Sequence, residues 1–112
     1  MNVILHITQR EQWEQAQRQG SYRADSLMTE GFIHCSTPKQ LVKVANTFFT
    51  HQNGLVLLYI DSDKVTSEIR YETVEANEQF PHLYGELNLD AVFEVVKFQP
   101  GEDGLFNLPA NL

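Results

Sequence analysis

The segment from Leu55 to Ile60, LVLLYI, is apolar at every position. A strand with one solvated face alternates apolar and polar residues, whereas an uninterrupted apolar run of this length is typical of a central strand covered on both faces. Asp61 ends the run. A chain of 112 residues with 42% hydrophobic content can build one core around such a strand. The sequence therefore predicts a single domain over residues 1–112.

The other elements follow from hydrophobic spacing and from helix-capping signals. Thr8 with Glu11, and Thr37 with Gln40, have the spacing of capping boxes at helix starts. Gly20 is suited to close the first helix. The pattern predicts strands at 1–7, 32–36, 55–60, 68–74 and 91–98, helices at 9–19 and from about 37 to 49, and loops at 21–31 and 80–88. This order, with two main helices in the N-terminal half, predicts an α+β domain with mixed or antiparallel sheets. The composition leaves disorder open for the C-terminal tail, 99–112.

The charge of the chain argues against several classes of partner. Eight Lys and Arg residues against fifteen Asp and Glu give a formal net charge of -7, which disfavours a nucleic acid partner. No segment approaches the roughly 20 apolar residues of a membrane span. The lone Cys35 cannot form an internal disulfide, and the N-terminus has no signal-like pattern, so a cytoplasmic location is expected. The oligomeric state stays open.

Two histidines occupy equivalent places in the predicted fold. His6 and His34 each end an apolar strand directly before a predicted helix start, and His82 lies in the predicted loop 80–88. The alternative for each is a hydrogen-bonded structural residue. Strand alternation places Phe32 and His34 on one face and Cys35 on the other, which favours a buried, inert thiol over a nucleophile.

Hydroxyls and carboxylates complete the set of candidate site residues. Ser36 and Thr37 are explained as helix caps, and the same helix start would also attract a phosphate. Glu72 and Glu86 are candidate carboxylates. Metal-ligand spacings such as H-x-x-x-H and C-x-x-C are absent from the sequence, so no metal site is predicted; a zinc site would require His6, His34 and His82 to converge.

Several short segments together resemble a small bacterial family, domain of unknown function 952. They are LHIT, SL with EGFIHCS, VANTFF, LVLLYID, RYE and FPHLYGEL, which occur in one order between about Val3 and Val96. The resemblance implies a fold grouped with the ADP-ribosyltransferase-like domains, which include RNA 2'-phosphotransferases. HIT is similar to the His-Gly-Thr of those enzymes, with Ile7 in place of glycine, and IHCS is similar to their Val-His-Leu-Ser. Of their several arginines, this chain offers counterparts only at Arg23 and Arg70.

The resemblance implies an enzyme that handles NAD, as a substrate, or an ADP-ribosyl group. His6 would orient the ribose, His34 would contact the ribose or a phosphate, and Glu72 is a candidate for the carboxylate that steadies the cationic ribose. The remaining ligand contacts are expected from Thr8, Arg23, Ser36, Thr37, Tyr71, His82 and Tyr84. The alternative is a non-catalytic module on the same scaffold that binds a phosphorylated small molecule.

Overall fold

The computed structural model describes residues 1–75 and 77–112. Within these ranges the chain forms an α+β domain with three helices and antiparallel sheets. The helices are α1 (Arg10–Gln19), α2 (Asp25–Thr29) and α3 (Leu41–Phe48). The strands are β1 (Val3–Gln9), β2 (Ser21–Tyr22), β3 (Ile33–His34), β4 (Leu55–Asp61), β5 (Glu68–Glu75), β6 (Glu78–Tyr84), β7 (Leu87–Asn88) and β8 (Val92–Phe98).

Strand β4 is the centre of the fold, as its uniformly apolar sequence predicts. It lies between β1 and β8 in an antiparallel sheet, and all seven of its residues are buried. Its side chains alternate between two cores: Val56, Leu58 and Ile60 pack with Trp13 of α1, while the intervening residues pack with α3. Covering both faces of one strand in this way joins the two halves of the domain.

A second sheet, with strand order β3-β6-β5, carries most of the polar residues considered above. Its register places His34 opposite His82, and His82 opposite Arg70. One isolated bridge links this sheet region to β1, because the backbone groups of Leu5 and Ser36 exchange hydrogen bonds of 2.7 and 2.8 Å. The bridge brings the exit of β3 beside the middle of β1.

The segment 80–88, predicted to be a loop, instead contains most of strand β6 and all of β7. Pro81 argued against a strand, since proline cannot donate to a ladder. The structure accommodates it where β3 ends: Cys35 N–H donates to the Pro81 carbonyl at 3.0 Å, and Pro81 has no N–H to return. The prediction failed because a proline is tolerated at the last rung of a short partner strand.

The predicted loop 21–31 is also wrong in part, since it contains β2 and α2. Tyr22, which lies in this predicted loop, is 1% exposed and belongs to the core. The two capping boxes differ from expectation as well. Thr8 lies within β1 and α1 begins at Arg10 with no side-chain cap, while α3 begins at Leu41, later than the predicted Thr37. Half of the second box is present, because Gln40 Oε1 accepts from the Thr37 N–H at 3.0 Å.

The C-terminal tail packs onto the domain and does not stay apart from it. Phe106 is 2% exposed and stacks on Phe98 with ring centroids 4.7 Å apart. Asn46 of α3 accepts from the Phe106 N–H at 2.7 Å and donates to its carbonyl at 3.2 Å. The tail thereby holds α3 in place.

None of the helices in the described ranges has the length and apolar composition needed to span a bilayer.

Candidate functional site

A cleft of about 360 Å³ opens where the β1 strand, the β3–β6 ladder and helix α3 meet. We call it the histidine cleft, since three of the four histidines of the chain line it. Its polar lining consists of His6, His34, Ser36 and His82. Its apolar lining is mainly Val44, Phe48, Phe49, Val74 and Phe80. Of the described residues that line it, none is lysine or arginine.

The strand register explains how His34 and His82 meet. They are direct partners in the β3–β6 ladder, and alternation turns both side chains to the face opposite the core, while Ile33 and Leu83 are fully buried. Their ring centroids lie 5.4 Å apart at a steep angle. Phe32 packs against both rings, stacking on His82 at 4.1 Å. The two imidazoles are therefore held in fixed relative positions.

His82 forms a dyad with Glu72. The His82 ring is buried, and its Nδ1 lies 2.8 Å from Glu72 Oε1, which also accepts from the Tyr84 hydroxyl at 2.5 Å. The hydrogen bond from Tyr84, with a smaller contribution from His82, lowers the pKa of the Glu72 carboxyl. The ionised carboxylate holds the proton on His82 Nδ1, which leaves Nε2 to act as an acceptor or base. Glu72 thus acts on the cleft through His82.

His34 is the exposed member of the set. Its Nε2 lies 3.0 Å from Glu30 Oε2, and both side chains are about half exposed, at 52% and 51%. An exposed pair of this kind adds little to stability. His34 is therefore free to exchange Glu30 for a ligand group at the rim of the cleft.

His6 is buried, at 8% exposure, and both of its ring nitrogens have protein partners. Nδ1 lies 2.5 Å from the His34 carbonyl oxygen, and Nε2 lies 2.8 Å from the Tyr22 hydroxyl. Burial lowers the pKa of His6 to about 4, so the ring is neutral at pH 7. A carbonyl only accepts, so the neutral ring carries its proton on Nδ1, while Nε2 faces the oxygen of the Tyr22 hydroxyl. In this geometry His6 positions the β3 exit and does not present a free nitrogen to the cleft.

A second, polar cleft of about 200 Å³ lies on the other side of His6. The two clefts share His6, Ile7 and Phe49 in their walls. Thr8 Oγ1 lies 2.9 Å from the Tyr22 hydroxyl and 2.9 Å from Gln12 Oε1. Gln12 Nε2 in turn donates to Asp25 Oδ2 at 3.4 Å. These hydrogen-bonding groups line the second cleft, so a polar wall adjoins the largely apolar first one.

The structure brings together some of the predicted site residues and separates others. His6, His34, Ser36 and His82 line the histidine cleft, with Glu72 and Tyr84 attached through His82, and Thr8 lines the second cleft. Arg23 and Glu86 do not line either cleft and pair with each other at 3.0 Å. Thr37 lies in the turn before α3 with its N–H occupied by Gln40. Tyr71 is 50% exposed on the strand face opposite Glu72.

Cys35 is buried at 4% exposure, as the alternation predicts, and burial raises the pKa of its thiol. Although the three histidines converge on one cleft, the described residues contain no group of three His, Cys, Asp or Glu side chains arranged to hold a metal. The expectation that the site uses no metal stays a prediction.

Several site residues escaped the sequence analysis. Glu30, Phe32 and Phe80 were not singled out, nor were Gln12 and Asp25 of the second cleft. The available signal was the alternation of Phe80, His82 and Tyr84 at a spacing of two, which indicates one face of a strand. Glu30 could have been found from its spacing of four residues before His34, but no spacing signal pairs Gln12 with Asp25.

The comparisons with known proteins agree with this fold. The chain belongs to the family described as protein of unknown function (DUF952), whose model matches residues 7–95. It is similar to the crystal structure of protein CC0527 from Caulobacter crescentus, with a TM-score of 0.88 and 29% identity over 95% of this chain and 94% of that one. The solution structure of CC0527 gives a TM-score of 0.85 at 29% identity, covering 100% and 97%. No curated protein matches the chain.

Proposed function

We propose that the histidine cleft binds a small nucleotide-type ligand of the NAD or ADP-ribose class, on a scaffold of the ADP-ribosyltransferase-like kind. The observation that carries the proposal is the convergence of His34, His82 and the His6 strand on one cleft, with Glu72 only 2.8 Å from His82. Perturbed carboxylates beside imidazoles in a concave site are typical of functional sites. If the protein is a transferase, these histidines and Glu72 act on an ADP-ribosyl group that the enzyme transfers.

The shape of the cleft supports a ligand with a flat apolar part. Its volume of about 360 Å³ lies within the range of small-molecule sites. Phe49 and Phe80 supply aromatic lining against which a base can pack, while His34 stands at the rim beside its exposed partner Glu30. His82 Nε2 is the group available for a hydrogen bond or a proton transfer, since Glu72 occupies Nδ1.

The second candidate is a non-catalytic module that holds the same kind of ligand. It is favoured by His6, whose two nitrogens are engaged by protein groups, and by the lack of lysine and arginine among the described lining residues. The first point removes the direct ribose contact that the resemblance implied for His6. For either candidate we expect a small-molecule partner and no nucleic acid, and we place the protein in the cytoplasm.

A thermal-shift titration tests the proposal with NAD, ADP-ribose, nicotinamide and a 2'-phosphorylated nucleotide. Ligand that binds only the native state stabilises it by about 2.7 kcal/mol at one hundred times the dissociation constant. We compare the wild type with His34→Asn at the cleft and His51→Asn as the matched control. His51 does not line the cleft and has a φ of 65°, a conformation that asparagine tolerates.

We expect a midpoint increase in the wild type and in His51→Asn that is lost in His34→Asn, with the unliganded midpoints nearly equal. An enzyme would also turn over NAD in a coupled assay, whereas a binding module would show the shift without turnover. The proposal fails if none of the four ligands at millimolar concentration raises the midpoint, or if His34→Asn responds like the wild type.

A further inference from the structure

We infer that the second, polar cleft binds the ribosyl half of the ligand, so that the protein recognises the nucleoside part and makes no cationic contact with phosphate. This inference rests on the proposed function. It starts from the contiguity of the two clefts, which share His6, Ile7 and Phe49 as a common wall. We place the base of the ligand in the first cleft and its next group in the adjoining second cleft.

The common wall is rigid. His6 is fixed from both sides, at 2.5 Å to the His34 carbonyl and 2.8 Å to the Tyr22 hydroxyl, and its neutral ring needs no counter-ion. Tyr22 is itself buried and linked to Thr8 at 2.9 Å. The spacing between the two clefts is thus built into the core, and a ligand that spans them meets preorganised groups at both ends.

The donor and acceptor set of the second cleft matches hydroxyl groups. The Asp25 carboxylate and the Gln12 carbonyl accept, whereas the two N–H groups of the Gln12 amide donate; the Thr8 hydroxyl already donates to the Gln12 carbonyl. A sugar hydroxyl both donates and accepts, so vicinal hydroxyls can use both kinds of group. An ammonium only donates and would leave the donors of the cleft without partners. The Gln12–Asp25 contact is long at 3.4 Å, so a hydroxyl can replace it at low cost.

Phosphate recognition has no comparable support in either cleft. Among the described lining residues of both clefts there is no lysine or arginine, and Asp25 adds a negative charge to the second. The chain as a whole carries a net charge of -7. A phosphate attached to the nucleoside would meet repulsion at long range and no charge-assisted hydrogen bond from these side chains. The nucleoside should therefore bind at least as tightly as its monophosphate.

Isothermal titration calorimetry, which measures the affinity of each ligand in two matched series, tests the inference. The series are adenine, adenosine and AMP, and nicotinamide, nicotinamide riboside and nicotinamide mononucleotide. The proteins are the wild type, Asp25→Asn and the control Asp63→Asn, in which an exposed aspartate outside both clefts is changed in the same way. Asparagine keeps an oxygen acceptor but loses the charge, so only the charge-assisted part of the hydrogen bond is removed.

In at least one series we expect the nucleoside to bind more tightly than its base, and the monophosphate to bind no more tightly than the nucleoside. Asp25→Asn should lower the affinity for the nucleoside about tenfold and leave the affinity for the base unchanged. The reason is that a charge-assisted hydrogen bond contributes on the order of one decade in affinity. Asp63→Asn should behave like the wild type.

Two results overturn the inference while the proposed function stands. The first is that the base and its nucleoside bind with equal affinity and that Asp25→Asn changes neither affinity. The other is a monophosphate that binds more than about tenfold tighter than the nucleoside with a strong salt dependence, which would require a cationic contact. If no member of either series binds the wild type, the inference fails, and the thermal-shift titration with NAD and ADP-ribose decides the proposed function separately.

Discussion

His6 should make the stability of the protein sensitive to mild acid. Burial lowers its pKa to about 4 in the folded state, while the unfolded chain has the ordinary value of about 6.5. Between these values the unfolded state binds a proton that the native state excludes. The free energy of unfolding therefore falls as the pH decreases from about 6.5 towards 4, and it is independent of this group above about pH 7.

The size of the effect follows from the two pKa values. Because each unit corresponds to about 1.4 kcal/mol, the full loss on acidification is about 3 kcal/mol, of which about 2 kcal/mol is already lost at pH 5. This is a large part of the 5–15 kcal/mol that is usual for a domain. Restricting the measurement to pH 5–7 keeps it away from the titration of Glu72, whose lowered pKa lies further into the acid range.

Urea unfolding at pH 7, 6 and 5 measures the effect in the wild type and in His6→Gln. Glutamine keeps a donor and an acceptor on a side chain that does not titrate. The variant is expected to be less stable at pH 7 but to lose about 2 kcal/mol less than the wild type on going to pH 5. Comparison of the two proteins cancels the contributions of the histidines they share. Equal pH slopes would refute the assignment of a buried, neutral His6.

Three further predictions concern the packing of the domain. Phe106→Ala should cost about 3–5 kcal/mol in urea unfolding, because it removes a buried ring that holds the tail on the core; a cost below about 1 kcal/mol would show that the tail is not docked. Cys35 should react with a thiol reagent no faster than the protein opens, since burial raises its pKa; rapid reaction in native buffer would contradict this. Gly104→Ala should lower the melting temperature, because the φ of 80° disfavours a side chain and the His51 ring fills the space a Cβ would need; an unchanged midpoint would contradict it.

Much of the fold could be predicted because hydrophobic patterning is a local signal. The unbroken apolar run correctly predicts β4, and the hydrophobic spacing of residues 37–49 correctly predicts a helix where α3 lies. Gly20 closes α1 in the left-handed conformation as predicted. The helix starts were less accurate. Thr8 forms hydrogen bonds with Gln12 and Tyr22, so tertiary contacts use the hydroxyl that the capping rule assigned to the helix.

The candidate site was predicted only in part, because its geometry depends on strand register. His34 and His82 were both predicted as site residues, but their contact requires strand β6. Because of Pro81, the sequence predicted a loop at that segment. The role of His6 also changed, since the bridge between Leu5 and Ser36 turns its ring toward the His34 carbonyl and Tyr22. A long-range bridge of this kind leaves no pattern in a single sequence.

The most direct test of the proposed site is a ligand titration in which NMR observes the rings of the four histidines. The protein is labelled with ¹⁵N in the imidazoles, and ADP-ribose is added at pH 7. We expect the ring resonances of His34 and His82, which line the cleft, to shift in proportion to saturation, while those of His51 do not move. Saturable shifts confined to His51, or no shift at any ring up to millimolar ADP-ribose, would contradict a nucleotide-type site in the histidine cleft.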